Sequence, residues 1–468
     1  MALIKSISGI RGIVGGSPGE GLTPLDIATF SAAYGTWLRR KNPDKKVKVV
    51  VGRDARMSGD MANRLVTGTL IGLGIDVIDL GLSTTPTVAV SVPFHKALGG
   101  IITTASHNPE RWNGLKLLNE RGEFISPVDA RRVLDLAEEG DCHFAQADDL
   151  GRFESDDLAI ERHIDRVLGL SLVDVKSVKA AHFKVVLDAV NSTGGIAVPP
   201  LLERLGVQAE LLYCNPNGRF PHNPEPLAEH LRDISRRVVE TGADMGIAVD
   251  PDVDRLAFLC ENGLPFGEEY TLVAVADYVL QHQRGKAVSN LSSSRALRDV
   301  AQKHGREYLP AAVGEVYVVE KMKAHQAAIG GEGNGGVIYP EAHYGRDALV
   351  GIALFLTHLA KKAQRLSELR ASYPAYHMVK KKIRLAPDLD VGSILKALEV
   401  TFEGESITTI DGLRIDFTES WVHLRQSHTE PVVRVYAEGH SIEAAEKLAA
   451  EMVVKVGQMA DVQGDRIV

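Results

Sequence analysis

The chain has 468 residues, of which 44% are hydrophobic and 24% are charged, and its formal net charge is -8 at pH 7. This length and composition are typical of a soluble globular protein of about three domains with a sizeable core. The acidic balance argues against a nucleic-acid partner, because binding to a phosphate backbone relies on clustered lysine and arginine.

The first part of the chain alternates helix and strand patterns. Arg11 lies between two glycines, which lets the backbone approach a ligand while the guanidinium binds an anion, although a plain turn explains the pattern equally well. Thr23 is predicted to cap a helix that has Pro24 at its first position. The apolar run 46–51 then predicts a strand followed by a loop. This alternation indicates an α/β layer rather than a sandwich or a helix bundle.

A serine motif follows the next predicted strand. The small apolar run 97–102 is read as a buried strand, and Thr103-Thr104-Ala105-Ser106-His107-Asn108-Pro109 comes directly after it. Because open α/β sheets place their chemistry at the carboxyl ends of strands, Ser106 is predicted to be a nucleophile. Lys116 follows within about ten residues and has the chemistry to neutralise charge or move a proton there, although most lysines merely lie in water. Most loop serines only bond nearby backbone, so the motif alone leaves a structural role open.

An acidic loop provides the second predicted centre. The predicted strand 243–249 runs directly into Asp250-Pro251-Asp252-Val253-Asp254-Arg255. Three carboxylates at alternating positions supply the hard oxygen ligands that Mg²⁺ prefers, and without a cation they would repel one another. The loop therefore predicts a magnesium site on its three aspartates. Arg255, next to them, is placed to contact the substrate or a group carried by the serine.

Two later loops have the chemistry to bind a ligand. The stretch 330–336 is too glycine-rich for regular structure, and Glu332 and Asn334 within it can bond vicinal hydroxyls, although a structural glycine turn explains it too. The last part of the chain changes to short strands and a helix from residue 442. Arginines and hydroxyls in one loop there predict a phosphate cradle. Its members are Arg425, Ser427, Thr429 and Arg434.

Together, these four elements meet the needs of phosphoryl transfer to a sugar phosphate. The chain closely resembles the α-D-phosphohexomutases over its whole length, with highly specific motifs at 103–109 and 250–255 and a nearly specific one at 425–431. The resemblance implies four domains around a central cleft, three related α/β domains and a smaller C-terminal α+β domain. The acidic stretch 138–155 is typical of a linker. The predicted domains are 1–153, 154–258, 259–371 and 372–468.

The resemblance also implies the roles of the site residues. Ser106 would carry a phosphoryl group, and one of its oxygens would join the three aspartates around Mg²⁺. The phosphoryl group would pass to a hexose monophosphate to give a 1,6-bisphosphate, which turns over, returns its other phosphoryl group to Ser106 and also serves as activator. Lys116 and His107 become candidates for acid–base work, and Arg11 and Arg255 for stabilising transition-state charge.

Departures from the family pattern bear on the choice of sugar. The usual sugar loop reads Gly-Glu-x-Ser-Gly-His, whereas this chain has Asn334 for the serine and Gly336 for the histidine. His343 is predicted to replace the histidine, and Gly314 to join the substrate site, although the segment before it lacks the usual basic residue. The opening segment 6–12 departs from the phosphoglucosamine-type pattern, which favours a phosphoglucomutase/phosphomannomutase over a phosphoglucosamine mutase.

Two other classes of function remain open: a sugar-phosphate-binding protein without turnover, and a phosphatase that hydrolyses the phosphoserine. The chain lacks a signal-peptide pattern and any apolar run long enough to span a membrane, so no membrane partner is expected. Three widely spaced cysteines indicate neither a disulfide framework nor a metal site. We therefore expect a cytoplasmic enzyme, monomeric or homodimeric, whose partner is a hexose phosphate.

Overall fold

The computed structural model describes residues 3–6, 9–384, 390–426 and 432–462. The first unit is a seven-stranded sheet with order β1-β2-β6-β5-β3-β4-β7. Its strands are β1 (Ile4–Ser6), β2 (Gly9–Ile13), β3 (Lys48–Arg53), β4 (Asp76–Leu82), β5 (Gly99–Thr103), β6 (Trp112–Leu118) and β7 (Phe153–Ser155). Its helices are α1 (Pro24–Lys41), α2 (Gly59–Gly72), α3 (Thr85–Phe94) and α4 (Pro127–Glu139).

The second unit has a four-stranded sheet of order β11-β10-β8-β9. Its strands are β8 (Lys184–Asp188), β9 (Gln208–Leu212), β10 (Met245–Val249) and β11 (Leu256–Cys260). Its helices are α5 (Ala159–Leu168), α6 (Val175–Ala181), α7 (Gly194–Arg204) and α8 (Arg232–Thr241). Since β10 and β11 pair antiparallel, the acidic loop is the turn of a hairpin.

The third unit repeats this arrangement with order β13-β12-β14-β15. Its strands are β12 (Ala287–Asn290), β13 (Tyr308–Ala311), β14 (Ile329–Glu332) and β15 (Gly336–Ile338). Its helices are α9 (Glu268–His282), α10 (Ala296–Lys303), α11 (Glu315–Ala324), α12 (Ala348–Lys362) and α13 (Leu366–Ala371). The glycine-rich loop lies in the turn between β14 and β15, which pair antiparallel.

The three sheets share one topology, which determines where the three predicted site loops lie. In each, two parallel strands lie beside a third parallel strand that turns back as an antiparallel hairpin. The hairpins are β5–β6, β10–β11 and β14–β15. The serine motif, the acidic loop and the glycine-rich loop are the three hairpin turns. The predicted set of related α/β units is confirmed, and these three loops are topologically equivalent.

The fourth unit is a smaller antiparallel sheet, of order β16-β20-β19-β18-β17. Its strands are β16 (His377–Arg384), β17 (Ser406–Thr408), β18 (Leu413–Asp416), β19 (Trp421–Gln426) and β20 (Val432–Gly439). Its helices are α14 (Val391–Thr401) and α15 (Ile442–Val462). This confirms the expected α+β unit. The domain boundaries proposed above stay predictions.

The apolar cores are distributed unevenly among the units. The second and third units share one continuous core, in which Phe258 stacks on Phe355 with ring centroids 3.8 Å apart. The first and fourth units have cores of their own. None of the helices in the described part of the chain combines the length and apolar character needed to cross a membrane.

The local sequence signal at Thr23 predicted the start of α1 correctly, whereas a strand formed by tertiary contacts was missed. Thr23 caps α1, and its hydroxyl accepts the backbone N–H of Asp26 in a capping box. The predicted linker is wrong in part, because Phe153–Ser155 forms β7 and pairs with β4. Three exposed residues that join a sheet edge carry no alternating apolar pattern, so the sequence gives no signal for them.

Candidate active site

Ser106 sits in a tight turn at the end of β5, with φ of 48° and only 3% of its surface exposed. Its Oγ donates to Asp250 Oδ2 at 2.9 Å and lies 3.4 Å from His107 Nδ1. Its backbone N–H donates to Thr104 Oγ1 at 2.9 Å. The fold therefore brings the predicted nucleophile against the acidic loop, which lies about 140 residues away in sequence.

Arg56 holds the backbone of the serine turn. It is 1% exposed and its Nε donates to the buried Asp54 at 3.0 Å. Its two terminal nitrogens donate to backbone carbonyls of the turn, those of Ser106, Asn108, Pro109 and Trp112. Burial raises the pKa of Asp54, and the Arg56 charge opposes that rise. One buried ion pair thus fixes the backbone that carries Ser106.

Replacing Arg56 with alanine is expected to lower the free energy of unfolding by about 3–5 kcal/mol, because Asp54 and the turn carbonyls lose their buried partner. Urea denaturation measures this. Arg53→Ala is the matched control, since Arg53 ends β3 three residues before Arg56 but is partly exposed and donates to one carbonyl. Its loss should cost about 1 kcal/mol or less. Equal urea midpoints for the two variants would contradict the role of Arg56.

The acidic loop has the donor set of a cation site. Asp250, Asp252 and Asp254 are fully buried, and one oxygen of each lies within 4.8 Å of the others. Asp250 Oδ1 accepts the backbone N–H groups of Asp254 and Arg255, both at 3.1 Å, which closes the loop. The Oδ1 atoms of Asp252 and Asp254 are buried without a hydrogen-bond partner among the described residues. Burial and the two neighbouring carboxylates raise the pKa of Asp250. These oxygens fit Mg²⁺.

Lys116 supplies positive charge to this loop. Its Nζ lies 2.5 Å from Asp252 Oδ2 and 2.9 Å from Asp254 Oδ2. Burial alone would lower the pKa of Lys116, but Asp252 and Asp254 outweigh it and raise that pKa. Thr85, at the start of α3, also donates its hydroxyl to Asp252. The loop is thus held from the first unit by a protonated lysine and a threonine.

His107, Arg11 and Arg255 gather beside the serine. Burial, then the charges of Arg255 and Arg11, lower the pKa of His107 well below 6.5, so the imidazole is neutral at pH 7. Arg255 Nη1 donates to Glu225 Oε1 at 3.2 Å. The Nε atoms of Arg11 and Arg255 are buried without a hydrogen-bond partner among the described residues. The result is a neutral imidazole next to cationic groups with free donors.

The glycine-rich loop places Glu332 at the end of β14. Glu332 Oε1 accepts from Asn290 Nδ2 at 2.9 Å, and its Oε2 accepts from Arg346 Nη1 at 3.0 Å. Asn334 uses its side-chain oxygen to accept the backbone N–H of Gly336 at 3.2 Å, within its own turn. Both predicted residues therefore lie in one hairpin turn, and Glu332 is fixed by two partners.

The other two predicted sugar-site residues lie nearby in the third unit. His343 Nε2 lies 3.1 Å from Asp347 Oδ2, an oxygen that also lies 2.9 Å from His163 Nε2. This nitrogen is therefore engaged with the start of α12 rather than with Glu332. Gly314 precedes α11 with φ of 125°, a backbone conformation that favours glycine.

The predicted phosphate cradle is described in part. Arg425 on β19 lies directly opposite Arg434 on β20, so both side chains project from the same face of the sheet. Arg425 Nε lies 2.8 Å from Asp411 Oδ2, while Arg434 Nε is buried with no hydrogen-bond partner among the described residues. Ser427 and Thr429, in the turn between these strands, lie outside the described residues.

The comparisons with known proteins agree with this geometry. Models of the three α/β/α domains of phosphoglucomutase/phosphomannomutase match residues 3–143, 161–263 and 267–376, and the model of the C-terminal domain matches 378–455. The chain belongs to the phosphoglucomutase/phosphomannomutase family. Both the predicted family and the predicted fold class are confirmed.

Relatives of this family span nearly the whole chain. A phosphoglucomutase/phosphomannomutase of Thermococcus kodakarensis is 35% identical over 440 residues, which cover 93% of this chain and 94% of the relative. A protein of Methanopyrus kandleri named "probable phosphoglucosamine mutase" is 33% identical, covering 95% and 96%. The crystal structure of a family protein from Burkholderia thailandensis superposes with a TM-score of 0.83 at 26% identity, covering 97% and 98%.

Three site residues of this family member were missed by sequence reasoning: Arg56, Thr85 and Arg346. Arg346 contacts Asp254, Glu332 and Glu315 at once. Arg346 directly precedes an aspartate, Arg56 lies two residues after one, and Thr85 follows another threonine, none of which marks a site. Only the position of each residue, in a loop after a strand or at the start of a helix, could have marked it as site-facing.

Proposed function

We propose that the chain is a phosphohexomutase that interconverts hexose 1-phosphates and hexose 6-phosphates, with glucose and mannose as the preferred sugars. The observation that carries the proposal is the contact of Ser106 Oγ with Asp250 Oδ2 at 2.9 Å, inside a buried three-carboxylate cluster. A phosphoryl group on Ser106 would lie beside that cluster. A cytoplasmic location and a monomeric or homodimeric state are part of the same proposal.

In the proposed reaction, phosphorylated Ser106 gives its phosphoryl group to a free hydroxyl of a hexose monophosphate. The new bond joins phosphorus to the sugar oxygen, the bond from phosphorus to Ser106 Oγ breaks, and the hydroxyl proton must leave. Neutral His107, whose Nδ1 lies 3.4 Å from Ser106 Oγ, would accept that proton. The 1,6-bisphosphate then turns over, and its other phosphoryl group returns to Ser106.

The charges around Ser106 suit this transfer. Asp250, Asp252 and Asp254 would hold Mg²⁺, which when bound supplies neutralisation of phosphoryl charge. Arg11 and Arg255 present buried, free Nε donors that can bond the oxygens of the moving group. Lys116, at 2.5 Å from Asp252, is protonated and can donate a proton to a leaving oxygen.

The two remaining loops would bind the ends of the substrate. Glu332 and Asn334 offer carboxylate and amide groups to sugar hydroxyls, with Gly314 and His343 nearby in the same unit. Arg425 and Arg434, together with Ser427 and Thr429, would bind the phosphate that is not being transferred. Because the bisphosphate carries a phosphate at each end, one cradle can hold either end while the other faces Ser106.

The test is turnover of glucose 1-phosphate, mannose 1-phosphate and glucosamine 1-phosphate side by side, with Mg²⁺ and a trace of hexose 1,6-bisphosphate. Comparable glucose and mannose rates are expected. A dominant glucosamine rate would favour the phosphoglucosamine mutase alternative, which a named relative supports. Free phosphate released at the rate of substrate loss would indicate a phosphatase, and no phosphate incorporation into the protein would indicate a binding protein.

A further inference from the structure

In the third unit, the Arg346 side chain fills the space that a side chain at position 336 would need. A Cβ atom built on Gly336 would lie 2.3 Å from Arg346 Cδ and 3.0 Å from its Cγ. The backbone of Gly336 is outside the left-handed region, so packing, and not its φ angle, requires glycine here. This is the position at which the sugar loop has no histidine. The arginine side chain fills that side of the loop instead.

Arg346 joins three elements of the cleft through three different nitrogens. Its Nη2 donates to Asp254 Oδ2 at 2.8 Å, its Nη1 to Glu332 Oε2 at 3.0 Å and its Nε to Glu315 Oε2 at 2.8 Å. The residue is only 8% exposed. A planar guanidinium with its donors fixed in a fork sets the spacing of the groups it binds, which a lysine cannot do.

The backbone next to Arg346 is itself fixed to the acidic loop. The N–H of Ala348 donates to the carbonyl of Val253 at 3.2 Å, and Asp347 caps α12 through the N–H groups of Leu349 and Val350. His343 is already engaged with Asp347. Arg346 is therefore a side chain that joins the sugar loop to the acidic loop, beside the backbone bond from the N–H of Leu256 to the carbonyl of Gly335.

We propose that Arg346 is a positioning residue that holds Glu332 and Asp254 at one spacing, so that recognition of the hexose and of the divalent cation are coupled, and that Gly336 is required for this. The inference rests on the proposed function. In this proposal, the Arg346 side chain fills the space beside Gly336, the position at which the usual sugar loop has a histidine. Loss of the guanidinium would let Glu332 and Asp254 repel each other and shift both loops.

Steady-state kinetics and calorimetric Mg²⁺ binding test this on Gly336→Ala, Arg346→Ala, Arg346→Lys and the double variant Gly336→Ala/Arg346→Ala. Arg346→Ala should raise the KM for hexose phosphate and the Kd for Mg²⁺ together, each about 10-fold or more, and Arg346→Lys should restore part of the loss. Gly336→Ala should do the same, because its methyl group displaces Arg346. In the Arg346→Ala background, adding Gly336→Ala should change neither constant.

Melting temperatures of the wild type, Gly336→Ala, Arg346→Ala and the double variant, measured without Mg²⁺ or substrate, provide a second double-mutant cycle. Arg370→Ala is the control, since Arg370 is a half-buried arginine of the same unit that donates to the Phe266 carbonyl outside the cleft. It should leave both constants unchanged. Should Arg346→Ala fail to fold, Gly336→Ala carries the test alone.

Three results would overturn the inference: additive effects of the two substitutions, a change in KM without a change in Mg²⁺ affinity, or unchanged constants in Gly336→Ala. Wild-type chain that turns over no hexose phosphate would instead overturn the proposed function. The melting-temperature cycle and Mg²⁺ binding then still decide whether Gly336 and Arg346 act together, so the two failures are distinguishable.

Discussion

Replacing Ser106 with alanine is expected to abolish mutase turnover, with a loss of at least about 10⁴-fold, because its Oγ is the hydroxyl of the turn that bonds Asp250 of the acidic loop. The fold should survive. Ser106 has φ of 48°, and serine and alanine experience similar strain in that conformation. Turnover of hexose phosphate and incorporation of labelled phosphate from hexose 1,6-bisphosphate measure the effect, while the melting temperature should stay within about 2 °C.

Ser91→Ala is the matched control for this experiment. Ser91 lies in α3 of the same unit and is 3% exposed, as Ser106 is, but its hydroxyl donates to the Thr87 carbonyl within the helix. It should retain both turnover and phosphate incorporation. Appreciable mutase activity in Ser106→Ala would remove Ser106 from the nucleophile role.

Asp252→Asn is expected to have the second largest effect. The substitution removes one charge from the cluster and one partner of Lys116, whose Nζ lies 2.5 Å from Asp252. Since cation affinity follows the number of charged ligands, Mg²⁺ should bind about 10- to 100-fold more weakly, and turnover at saturating Mg²⁺ should fall about 100-fold or more. Calorimetry with Mg²⁺ and turnover across a range of Mg²⁺ concentrations separate the two effects.

Asp244→Asn controls for the loss of a carboxylate. Asp244 is exposed just before β10, at the opposite end of the strand from the acidic loop, and accepts the backbone N–H of Lys184. It should leave the Mg²⁺ dependence as in wild type. If Asp252→Asn also kept that dependence, the acidic loop would not be the cation site.

The parts of the site that could be predicted are those whose chemistry is contiguous in sequence. The serine motif and the three aspartates each occupy one short loop after an apolar strand, so local pattern was enough to locate them. Arg56 and Arg346 act through partners that are distant in sequence, such as Pro109 for Arg56 and Asp254 for Arg346. No pattern within one loop contains that information.

His343 shows the same limit. Its position just after the glycine-rich loop favoured a sugar contact, but its Nε2 is engaged with Asp347 at the start of α12. The fold of the loop between β15 and α12 decides which of its polar residues faces the cleft. The contact of His163, in the second unit, with Asp347 contributes to that fold. The role predicted for His343 stays a prediction.

The shared core of the second and third units opposes their separation, which limits how the bisphosphate of the proposed reaction would turn over. The acidic loop and the glycine-rich loop are both built on that core, which includes Phe258 and Phe355. Parting these loops would expose continuous apolar surface to water, which is costly. The first and fourth units have separate cores. Room for a rotating ligand would therefore cost least if the fourth unit moved, because Lys116 and Thr85 of the first unit are bonded to the acidic loop. The cation and sugar loops would then stay fixed relative to each other.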